Sequence, residues 1–404
     1  MTEWVETTLG DIADVVGGGT PSTKQANYWG GEVLWLTPGE LTKREGEVIT
    51  STDRTISAAG LAASSAKLLP KDAVLLTSRA TVGAVGLAGQ PMATNQGFQS
   101  LVAGDSVLPK FLLYWVQANR SEFEGRATGS TFPEISGKKV RAIPIMLPSL
   151  IEQRRIVSVL DAVDCQIGAL AHEADSLEDV MKTLIEDALA TQPRFELGTY
   201  LHRIEGGRSP MTTGTPPSLL EQGVLKVSAV TPHRFVPEEA KALLPDTVMP
   251  DVAIVRGGDV LITRANTPAR VGAVCRVPAD VRKGLFLCDK TLRMVPSEGL
   301  DPDYLVVAMG LAETRKHLTG AATGTSASMF NISQAKIHET PIPVPDLASQ
   351  RQVARMVLDA HENSDGLRIQ LASLVRLRRG LVTALLSQAI ALDKTVDCFV
   401  EGAA

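Results

Sequence analysis

The residues with chemical potential in this chain are hydroxyls, amides and cations that lie beside glycine-rich runs. The run Gly17–Lys24 (GGGTPSTK) combines an adaptable backbone with hydroxyls and one cation. Such a loop can bring backbone N–H groups close to a phosphate, and Lys24 adds positive charge there. A plain turn between strands is the alternative explanation of the glycines. Trp29 and Trp35 follow, and we expect them to pack beneath the loop, although they could also stack on bases.

Arginines and amides form a second group, because they follow predicted strands. Arg79 and Arg264 each come just after a short apolar run. A side chain at a strand end can reach into a groove, and arginine and asparagine hydrogen-bond guanine and adenine edges bidentately. Two threonine-rich loops, Arg126–Thr131 and Thr323–Ser328, suit phosphate oxygens. An isolated arginine is usually only solvated, so the prediction depends on the recurrence of the whole group.

Sequence motifs of catalysis and metal binding are missing. There is no Walker A loop, no GxGxxG loop and no GxSxG nucleophile elbow. The six histidines are never spaced i, i+3 or i+4, which disfavours a helical zinc site. No tetrapeptide resembles the Asn-Pro-Pro-Tyr that grips a flipped base in amino-methyltransferases. We therefore expect a chain that is not an enzyme and that holds no cofactor and no metal.

Composition places the chain among globular proteins of several domains. Its 404 residues exceed one ordinary domain, and 44% hydrophobic with 21% charged residues excludes wholesale disorder. The formal charge of −5 argues against a broad nucleic-acid coat but permits local basic surfaces. The four cysteines form no CxxC pair, no signal-peptide pattern opens the sequence, and no apolar run is long enough for a membrane span. We expect a cytoplasmic protein without a membrane partner.

The sequence repeats itself at a distance of about 190 residues. Val74–Ala80 (VLLTSRA) returns as Val260–Ala265 (VLITRA). Ile143–Arg154 (IPIMLPSLIEQR) returns as Thr340–Arg351 (TPIPVPDLASQR). Each copy ends in prolines and leads into a long segment without proline. This pattern indicates a duplicated domain whose copies are each followed by a long helix.

The two proline-free segments carry a heptad seam. Apolar residues of the first segment alternate in steps of four and three for about five heptads, and the second segment keeps the same frame. A seam this long and narrow predicts that the two helices pair with each other rather than with an outside partner. The predicted seam consists of Ile156, Leu160, Val163, Ile167, Leu170, Leu177, Met181, Leu184, Val353, Val357, Leu367, Leu371, Leu374, Leu381 and Leu385.

These patterns predict an α+β protein in which two pseudo-repeated mixed α/β domains are separated by two long helices. The predicted segments are a first domain at 1–148, a first helix at 149–192, a second domain at 193–345, a second helix at 346–392 and a tail at 393–404.

A series of short motifs runs in order through the first copy. They are Leu9–Ile12 (LGDI), Gly18–Ser22 (GGTPS), Tyr28–Gly31 (YWGG), Trp35–Pro38 (WLTP) and Asn95–Phe98 (NQGF). With the Ile-Pro…Gln-Arg stretch before each long helix and two copies of the whole, the chain resembles the specificity subunits of type I restriction–modification systems. In the second copy, Gly206–Pro210 (GGRSP) replaces the Thr-Pro-Ser loop.

The resemblance implies a subunit without catalysis that selects a bipartite, asymmetric target in double-stranded DNA. Each target recognition domain would read one half in the major groove, and the antiparallel helices would hold the halves apart. Two modification subunits that use S-adenosylmethionine would clasp the helices and methylate adenine in each half. Two motor-nuclease restriction subunits would join them in defence against foreign DNA.

The residues and the resemblance together predict a set of DNA-contacting side chains in each domain. In the first domain they are Thr20, Ser22, Lys24, Arg79, Thr81, Asn95, Gln96, Arg126, Thr128, Ser130 and Thr131. In the second domain they are Arg208, Ser209, Arg264, Asn266, Thr267, Arg270, Thr323, Thr325, Ser326 and Asn331.

Two other classes of function remain alternatives. One is a DNA-acting enzyme with an unrecognised site, which metal-dependent cleavage by the isolated chain would favour. The other is a coiled-coil adaptor whose two terminal domains bind protein. A ratio of affinities for a cognate and a scrambled duplex separates the adaptor from a sequence reader.

Overall fold

The computed structural model describes residues 4–129, 133–326, 329–390 and 392, which divide into two compact units. Unit 1 comprises residues 1–170 and 370–404 as far as they are described, and unit 2 comprises residues 171–369. Each unit therefore contains one copy of the repeat and a part of each long helix. The predicted tail 393–404 and the predicted contact residues Ser130 and Thr131 lie outside the described residues.

Unit 1 is built from three small sheets. Its strands are β1 (Val5–Thr8), β2 (Ala13–Gly17), β3 (Trp29–Leu36), β4 (Val48–Ile49), β5 (Arg54–Ile56), β6 (Val74–Leu76), β7 (Val85–Ala88), β8 (Met92–Thr94), β9 (Gln99–Ala103) and β10 (Pro144–Leu147). Its helices are α1 (Leu9–Ile12), α2 (Pro38–Lys43), α3 (Ala58–Ala62), α4 (Pro109–Ala118), α5 (Arg120–Arg126), α6 (Gly137–Arg141), the first part of α7 (Leu150–Ala190) and the last part of the second long helix. The sheet orders are β2-β9-β6-β7-β4, β5-β3-β8 and β1-β10.

Unit 2 follows the same plan with shorter strands. Its strands are β11 (Arg194–Glu196), β12 (Leu201–Gly206), β13 (Gly223–Leu225), β14 (Val230–Thr231), β15 (Arg234–Phe235), β16 (Ala240–Ala242), β17 (Val260–Thr263), β18 (Ala265–Asn266), β19 (Val274–Arg276), β20 (Leu285–Phe286), β21 (Thr291–Pro296), β22 (Thr323–Ser326), β23 (Met329–Asn331) and β24 (Pro341–Pro343). Its helices are the last part of α7, α8 (Pro302–Gly310), α9 (Ala312–Ala321), α10 (Gln334–His338) and the first part of α11 (Leu347–Leu386). The sheet orders are β12-β21-β17-β19, β16-β13-β20, β18-β23-β22, β11-β24 and β14-β15.

The strand pairings show the duplication directly. In both units the first strand pairs antiparallel with the last, β1 with β10 and β11 with β24. Strand β3 lies between antiparallel β5 and parallel β8, as β13 lies between antiparallel β16 and parallel β20. Even a helix cap recurs, because Ser136 accepts the N–H of Lys139 and Ser333 accepts that of Lys336. The repeat seen in the sequence is thus a repeat of the fold.

The hydrophobic core of each unit extends onto the long helices. In unit 1, Phe111 of α4 belongs to the same buried cluster as Leu160 of α7 and Leu385 of α11. In unit 2, Tyr304 of α8 shares a cluster with Leu189 of α7 and Ala354 of α11. The start of α7 therefore meets the end of α11, and the end of α7 meets the start of α11. The helices form the predicted antiparallel pair.

Polar residues replace apolar ones at two seam positions of α11, and both have partners on α7. Ser364, which is 1% exposed, donates from Oγ to Glu178 Oε1 at 2.8 Å. Arg378 forms an ion pair with Asp164, and its Nη2 lies 2.9 Å from Asp164 Oδ2. A slipped register would leave these groups without partners inside the seam, so the two pairs favour the observed alignment.

The seam leaves its predicted frame near the end of α7. The heptad pattern assigns Leu184 to the seam, but its side chain is 51% exposed. Ile185 and Leu189 pack against the core of unit 2 instead. A straight α-helix drifts by about 20° per heptad relative to a 3.5-residue repeat, so after several heptads the buried face passes to the next residue. The other predicted seam residues are buried or half-buried.

A buried glutamine fixes the start of α7 to unit 1. Gln153 is fully buried, and its Oε1 accepts the N–H of Leu108 at 2.8 Å. Its Nε2 donates to the carbonyls of Ser106 and Pro148, each at 2.9 Å. One side chain thereby joins the loop before α4 to the first turn of α7.

The same glutamine recurs at the start of α11 in unit 2. Gln350 is fully buried, and its Oε1 accepts the N–H of Asp301 at 2.8 Å. Its Nε2 donates to the carbonyls of Gly299 and Pro345, at 3.1 and 2.8 Å. The Gln-Arg motif of the sequence repeat therefore has a structural role, which is to clamp each long helix to its domain.

We predict that Gln153→Ala lowers the free energy of unfolding of unit 1 by about 3 kcal/mol, because one buried N–H and two buried carbonyls lose their partner. Urea unfolding followed by tryptophan fluorescence measures this, since all four tryptophans lie in unit 1. The matched control is Gln166→Ala on the exposed side of α7, which should change stability by less than about 0.5 kcal/mol. Equal losses in the two variants would contradict the clamp.

Candidate nucleic-acid interface

Backbone hydrogen bonds join the loops of unit 1 that carry the predicted contact residues. The N–H of Gly19 donates to the carbonyl of Thr94 at 2.9 Å. The N–H of Ser78 donates to the carbonyl of Gly97 at 2.7 Å, and the N–H of Ile135 donates to the carbonyl of Ser78 at 3.0 Å. These bonds make one connected surface, which we call loop surface 1; it comprises the described residues of 18–24, 78–81, 95–97 and 126–135.

Several predicted side chains on loop surface 1 bond to one another or to nearby backbone. Thr20 donates from Oγ1 to Gln96 Oε1, which ties the first loop to the third. Asn95 Oδ1 accepts the N–H of Gly97 at 2.8 Å, so this amide shapes its own turn. Ser22 and Lys24 are exposed at the tip of the first loop. Thr20, Ser22, Lys24 and Gln96 therefore lie together and open to solvent.

The arginines of loop surface 1 have acidic partners. Arg79 Nε lies 2.8 Å from Glu134 Oε1, with the two side chains 48% and 41% exposed. Arg126 is paired with Glu122 at 3.0 Å. An exposed ion pair of this kind stabilises a protein by about 1 kcal/mol or less, so a DNA phosphate or base edge can replace the carboxylate. Thr128 is exposed, and its backbone pairs with that of Glu134.

Thr81 has a different place from its predicted neighbours. It is half-buried, and its carbonyl accepts the Thr77 hydroxyl. Ala80 between Arg79 and Thr81 has φ of 62°, a left-handed conformation that is costly for a residue with a Cβ. The turn thus directs Arg79 outward, whereas Thr81 supports the turn from below.

Close packing explains the glycine run. A Cβ on Gly18 would lie 2.0 Å from the carbonyl oxygen of Asn95, and one on Gly19 would lie 2.2 Å from the nitrogen of Ala66. Trp35 is 3% exposed and donates from Nε1 to the carbonyl of Gly19 at 2.9 Å. The indole lies beneath the loop, as expected. The N–H of Gly19 is already bonded to backbone, and the exposed side chains of the loop include Thr20, Ser22 and Lys24.

A stack of aromatic rings and a guanidinium supports the same loop. Trp29 and Trp35 meet edge to face with centroids 5.0 Å apart, and Trp29 Nε1 donates to the carbonyl of Ser22 at 3.2 Å. The guanidinium of Arg54 lies 3.7 Å from the centroid of Trp29. These contacts hold the first loop rigidly against strands β3 and β5.

Unit 2 builds an equivalent surface from the same backbone bonds. The N–H of Arg264 donates to the carbonyl of Lys290 at 2.9 Å, and the N–H of Ile332 donates to the carbonyl of Arg264 at 2.8 Å. Ser209 donates from its hydroxyl to Asp289. We call this loop surface 2; it comprises the described residues of 207–212, 264–270, 288–290 and 323–331.

The predicted side chains of unit 2 lie on loop surface 2. Arg208 donates to the carbonyl of Val248, and Asn266 Oδ1 accepts the N–H of Thr267 at 2.8 Å. Arg270 is exposed. The exposed residues Thr323 and Asn331 face each other across strands β22 and β23. The predicted contacts of Thr325 and Ser326 concern side chains outside the described part of the chain.

The two surfaces share backbone bonds but differ in their side chains. Arg264 occupies the position that Ser78 has in unit 1. The backbone N–H of Ser78 donates to the 95–97 loop, and its carbonyl accepts the N–H of Ile135. The backbone of Arg264 makes the same two bonds, to the 288–290 loop and to Ile332. Asn331 faces Ala265 in the position where Glu134 faces Arg79. The two prominent arginines, Arg79 and Arg264, are therefore not equivalent. The two domains present different chemistry from one framework.

Sequence reasoning missed three charged residues on these surfaces, namely Glu134, Asp289 and Lys290. Aligning the repeats strand by strand would have found two of them, because Cys288-Asp289-Lys290 in the second copy corresponds to Asn95-Gln96-Gly97 in the first. The same alignment marks the third, because Glu134-Ile135-Ser136 corresponds to Asn331-Ile332-Ser333 and Asn331 was a predicted contact.

Neither a metal centre nor a membrane-spanning helix was found within the described ranges. The histidines, cysteines, aspartates and glutamates there form no group of three or more that could hold a metal ion. No described helix combines the length and apolarity needed to cross a bilayer.

Comparison with known proteins agrees with this arrangement. The family model described as "Type I restriction modification DNA specificity domain" matches residues 1–179. The MjaIX specificity subunit of Methanocaldococcus jannaschii is 36% identical over 187 residues, which cover 46% of this chain and 43% of that protein. The first part of the chain is therefore similar to type I restriction–modification specificity subunits. The EcoEI specificity subunit of Escherichia coli is 30% identical over 197 residues, 48% of this chain and 33% of that protein.

The alignments with these curated relatives span less than half of the relatives' own lengths. A solved structure extends the likeness of fold to nearly all of this chain. The crystal structure of the type I restriction–modification S subunit from M. genitalium has a TM-score of 0.57 and 15% identity, covering 97% of both chains. At this level of identity the likeness concerns the fold alone.

We predict that Gly18→Ala displaces the first loop, because its Cβ would overlap the carbonyl of Asn95. The variant should lose about 2 kcal/mol of stability, the usual cost of overpacking, and should weaken duplex binding. Tryptophan-monitored urea unfolding and fluorescence anisotropy of a labelled duplex measure the two effects. Gly39→Ala in helix α2, where an added Cβ meets nothing within 4 Å, should keep both properties. If Gly18→Ala keeps the stability and duplex binding of this control, close packing does not explain the glycine at this position.

Proposed function

We propose that this chain is a specificity subunit that reads a bipartite, asymmetric sequence in double-stranded DNA. The target recognition domains are residues 1–148 and 193–345, and each reads one half-site with its loop surface. The long helices at 149–192 and 346–392 hold the two half-sites at a fixed spacing. Two weak half-site contacts then act as one tight site through their high effective concentration.

The observation that carries this proposal is one backbone framework presented twice with different side chains. Loop surface 1 offers Thr20, Gln96 and Arg79, whereas loop surface 2 offers Arg264 and Asn266. Arginine and amide groups are the residue types that discriminate base edges in the major groove, and hydroxyls bind phosphates. A duplicated reader with divergent tips suits an asymmetric target.

Chemistry in this proposal comes from partner subunits, and the chain itself has no catalytic role. Two modification subunits that use S-adenosylmethionine bind the long helices and methylate adenine, and two restriction subunits add motor and nuclease functions. Exposed apolar residues outside the seam support a protein-binding role of the helices. Val180, Ile369 and Leu377 are 56%, 68% and 61% exposed, which is unusual for side chains of this type on a helix that only faces water.

The two alternative functions, an adaptor and a DNA-acting enzyme, would require other residues on the loop surfaces. An adaptor for other proteins would be expected to present aromatic and apolar anchors there, whereas the described tips carry threonine, asparagine and arginine. A DNA-acting enzyme would need a cleft that gathers acids, bases or metal ligands. The loop surfaces pair their carboxylates with arginine or serine instead.

Exchange of one domain tests the proposal. Replacing residues 1–148 with the corresponding domain of another family member should change one half of the methylated motif and leave the other half intact, because each loop surface is built within its own unit. The motif is read by sequencing methylated adenines in cells supplied with the modification subunit. Exchange of residues 193–345 is the reciprocal control. Simultaneous change of both halves would show that recognition is shared.

A change of helix length tests the spacing role. Inserting four residues after Ala190 adds about 6 Å and overshoots one helical turn by about 40°. At 3.4 Å per base pair, the unspecified spacer should lengthen by about one or two base pairs while both half-sites keep their sequences. Three inserted residues fall about 60° short of a turn and should impair methylation more. An unchanged spacer in a fully active four-residue variant would show that the helices do not set the spacing.

A further inference from the structure

A cleft on loop surface 2 has no counterpart among the features described for unit 1. It has a volume of about 250 Å³ and lies between Ser209 and Lys290 of the loops and Val224 of strand β13. Its floor is apolar, and its rim carries three lysines, Lys226, Lys241 and Lys290. None of the described residues that line it is acidic.

Strand register explains why the cleft exists. Val224 of β13 faces Lys241 on the antiparallel side and Phe286 on the parallel side. In unit 1 the matching central residue is Trp35, which faces Arg54 and Ala93 in the same way. Trp35 and Trp29 form the stacked pair beneath the first loop of unit 1. A valine at this place leaves open the volume that an indole would fill, and Lys241 replaces Arg54 without a ring to stack on.

The lysines of the cleft differ in how their charges are balanced. Lys226 Nζ lies 3.4 Å from Glu239 Oε2, and the Ser228 hydroxyl also donates to this carboxylate. The hydrogen bond from Ser228 and the nearby Lys226 lower the pKa of Glu239, which therefore stays ionised. The ion pairs described for this chain include neither Lys241 nor Lys290. Asp289 beside them accepts the Ser209 hydroxyl instead. Lys241 and Lys290 thus line the cleft, and no ion pair with a carboxylate is seen for either among the described residues.

The chemistry of the rim indicates the ligand. Ammonium groups are compact point charges, which bind phosphate well but lack the planar fork that reads a base edge. Lys290 shares a backbone hydrogen bond with Arg264, so the cleft lies directly beside a predicted base-reading residue. A phosphate held there would fix the register of the duplex relative to Arg264.

We propose that this cleft receives one backbone phosphate of the DNA half-site read by unit 2, with Lys241 and Lys290 as its counter-charges. The inference rests on the proposed function. It assigns a positioning role to the two lysines and to the absence of an indole at Val224. Because a phosphate contact carries no base information, its loss weakens cognate and altered second half-sites by the same factor.

The test uses the full chain assembled with its modification subunit and a labelled duplex that contains the methylated motif. Lys290→Gln and Lys241→Gln should each weaken binding by about fivefold, and should reduce the slope of log affinity against log salt by about 0.9. The matched control is Lys283→Gln, an exposed lysine before the start of β20, at the end of that strand away from Lys290. It should leave affinity and slope unchanged.

Neutralising single phosphates separates a bound backbone phosphate from a general field effect. A duplex with one uncharged methylphosphonate at the contacted position should weaken the unaltered protein, but should not weaken Lys290→Gln further. Inorganic phosphate at constant ionic strength should compete with DNA only weakly, because the cleft supplies one of many contacts to the duplex. If inorganic phosphate binds the unaltered protein but not Lys290→Gln, while the methylphosphonate has no effect, the cleft serves a free anion and the proposal is overturned. Identical behaviour of the Lys290, Lys241 and Lys283 variants would also overturn it.

Failure of the proposed function looks different from failure of this inference. If the unaltered assembly binds cognate and scrambled duplexes equally, the reading of DNA sequence itself is wrong. If it discriminates between them but the cleft variants keep the full salt slope, only the phosphate site is wrong.

Discussion

The architecture depends on one buried side chain at the start of each long helix. The side chains of Gln153 and Gln350 each accept one backbone N–H and donate to two backbone carbonyls. These bonds join a domain loop, the proline stretch before the helix and the helix itself. A buried amide whose partners are all backbone groups is costly to displace, because each lost bond leaves an unsatisfied group. The clamp therefore makes the direction of each helix a property of its domain.

The duplicated framework separates stability from specificity. The bonds that shape the loop surfaces run between backbone groups, as from Ser78 to Gly97 and from Arg264 to Lys290. Side chains at the tips can therefore change without altering the loops. Trp35 fills the space beneath one loop surface, whereas Val224 leaves a lysine-rimmed cleft beneath the other. The same fold can thus present an arginine and amide surface in one domain and a more basic surface in the other.

Two polar side chains in the apolar seam select one register of the helix pair. A uniform seam of leucine and valine would tolerate alternative registers, because any apolar residue can replace another there. Ser364 and Arg378 instead require Glu178 and Asp164 opposite them. Each requirement is met in the observed register of the helix pair, once within unit 1 and once within unit 2.

The sequence alone determined the duplication, the two long helices that pair with each other and the residues that cluster on the loops, because periodicity, proline placement and repeated motifs are local and additive signals. It misplaced Leu184, since the drift of a straight helix accumulates only over several turns. Only the tertiary structure decided that Arg79 faces Glu134, that Arg264 corresponds to Ser78, and that Val224 opens a cleft. Those relations depend on strand register between segments far apart in the chain, and register is set by the packing of the whole domain.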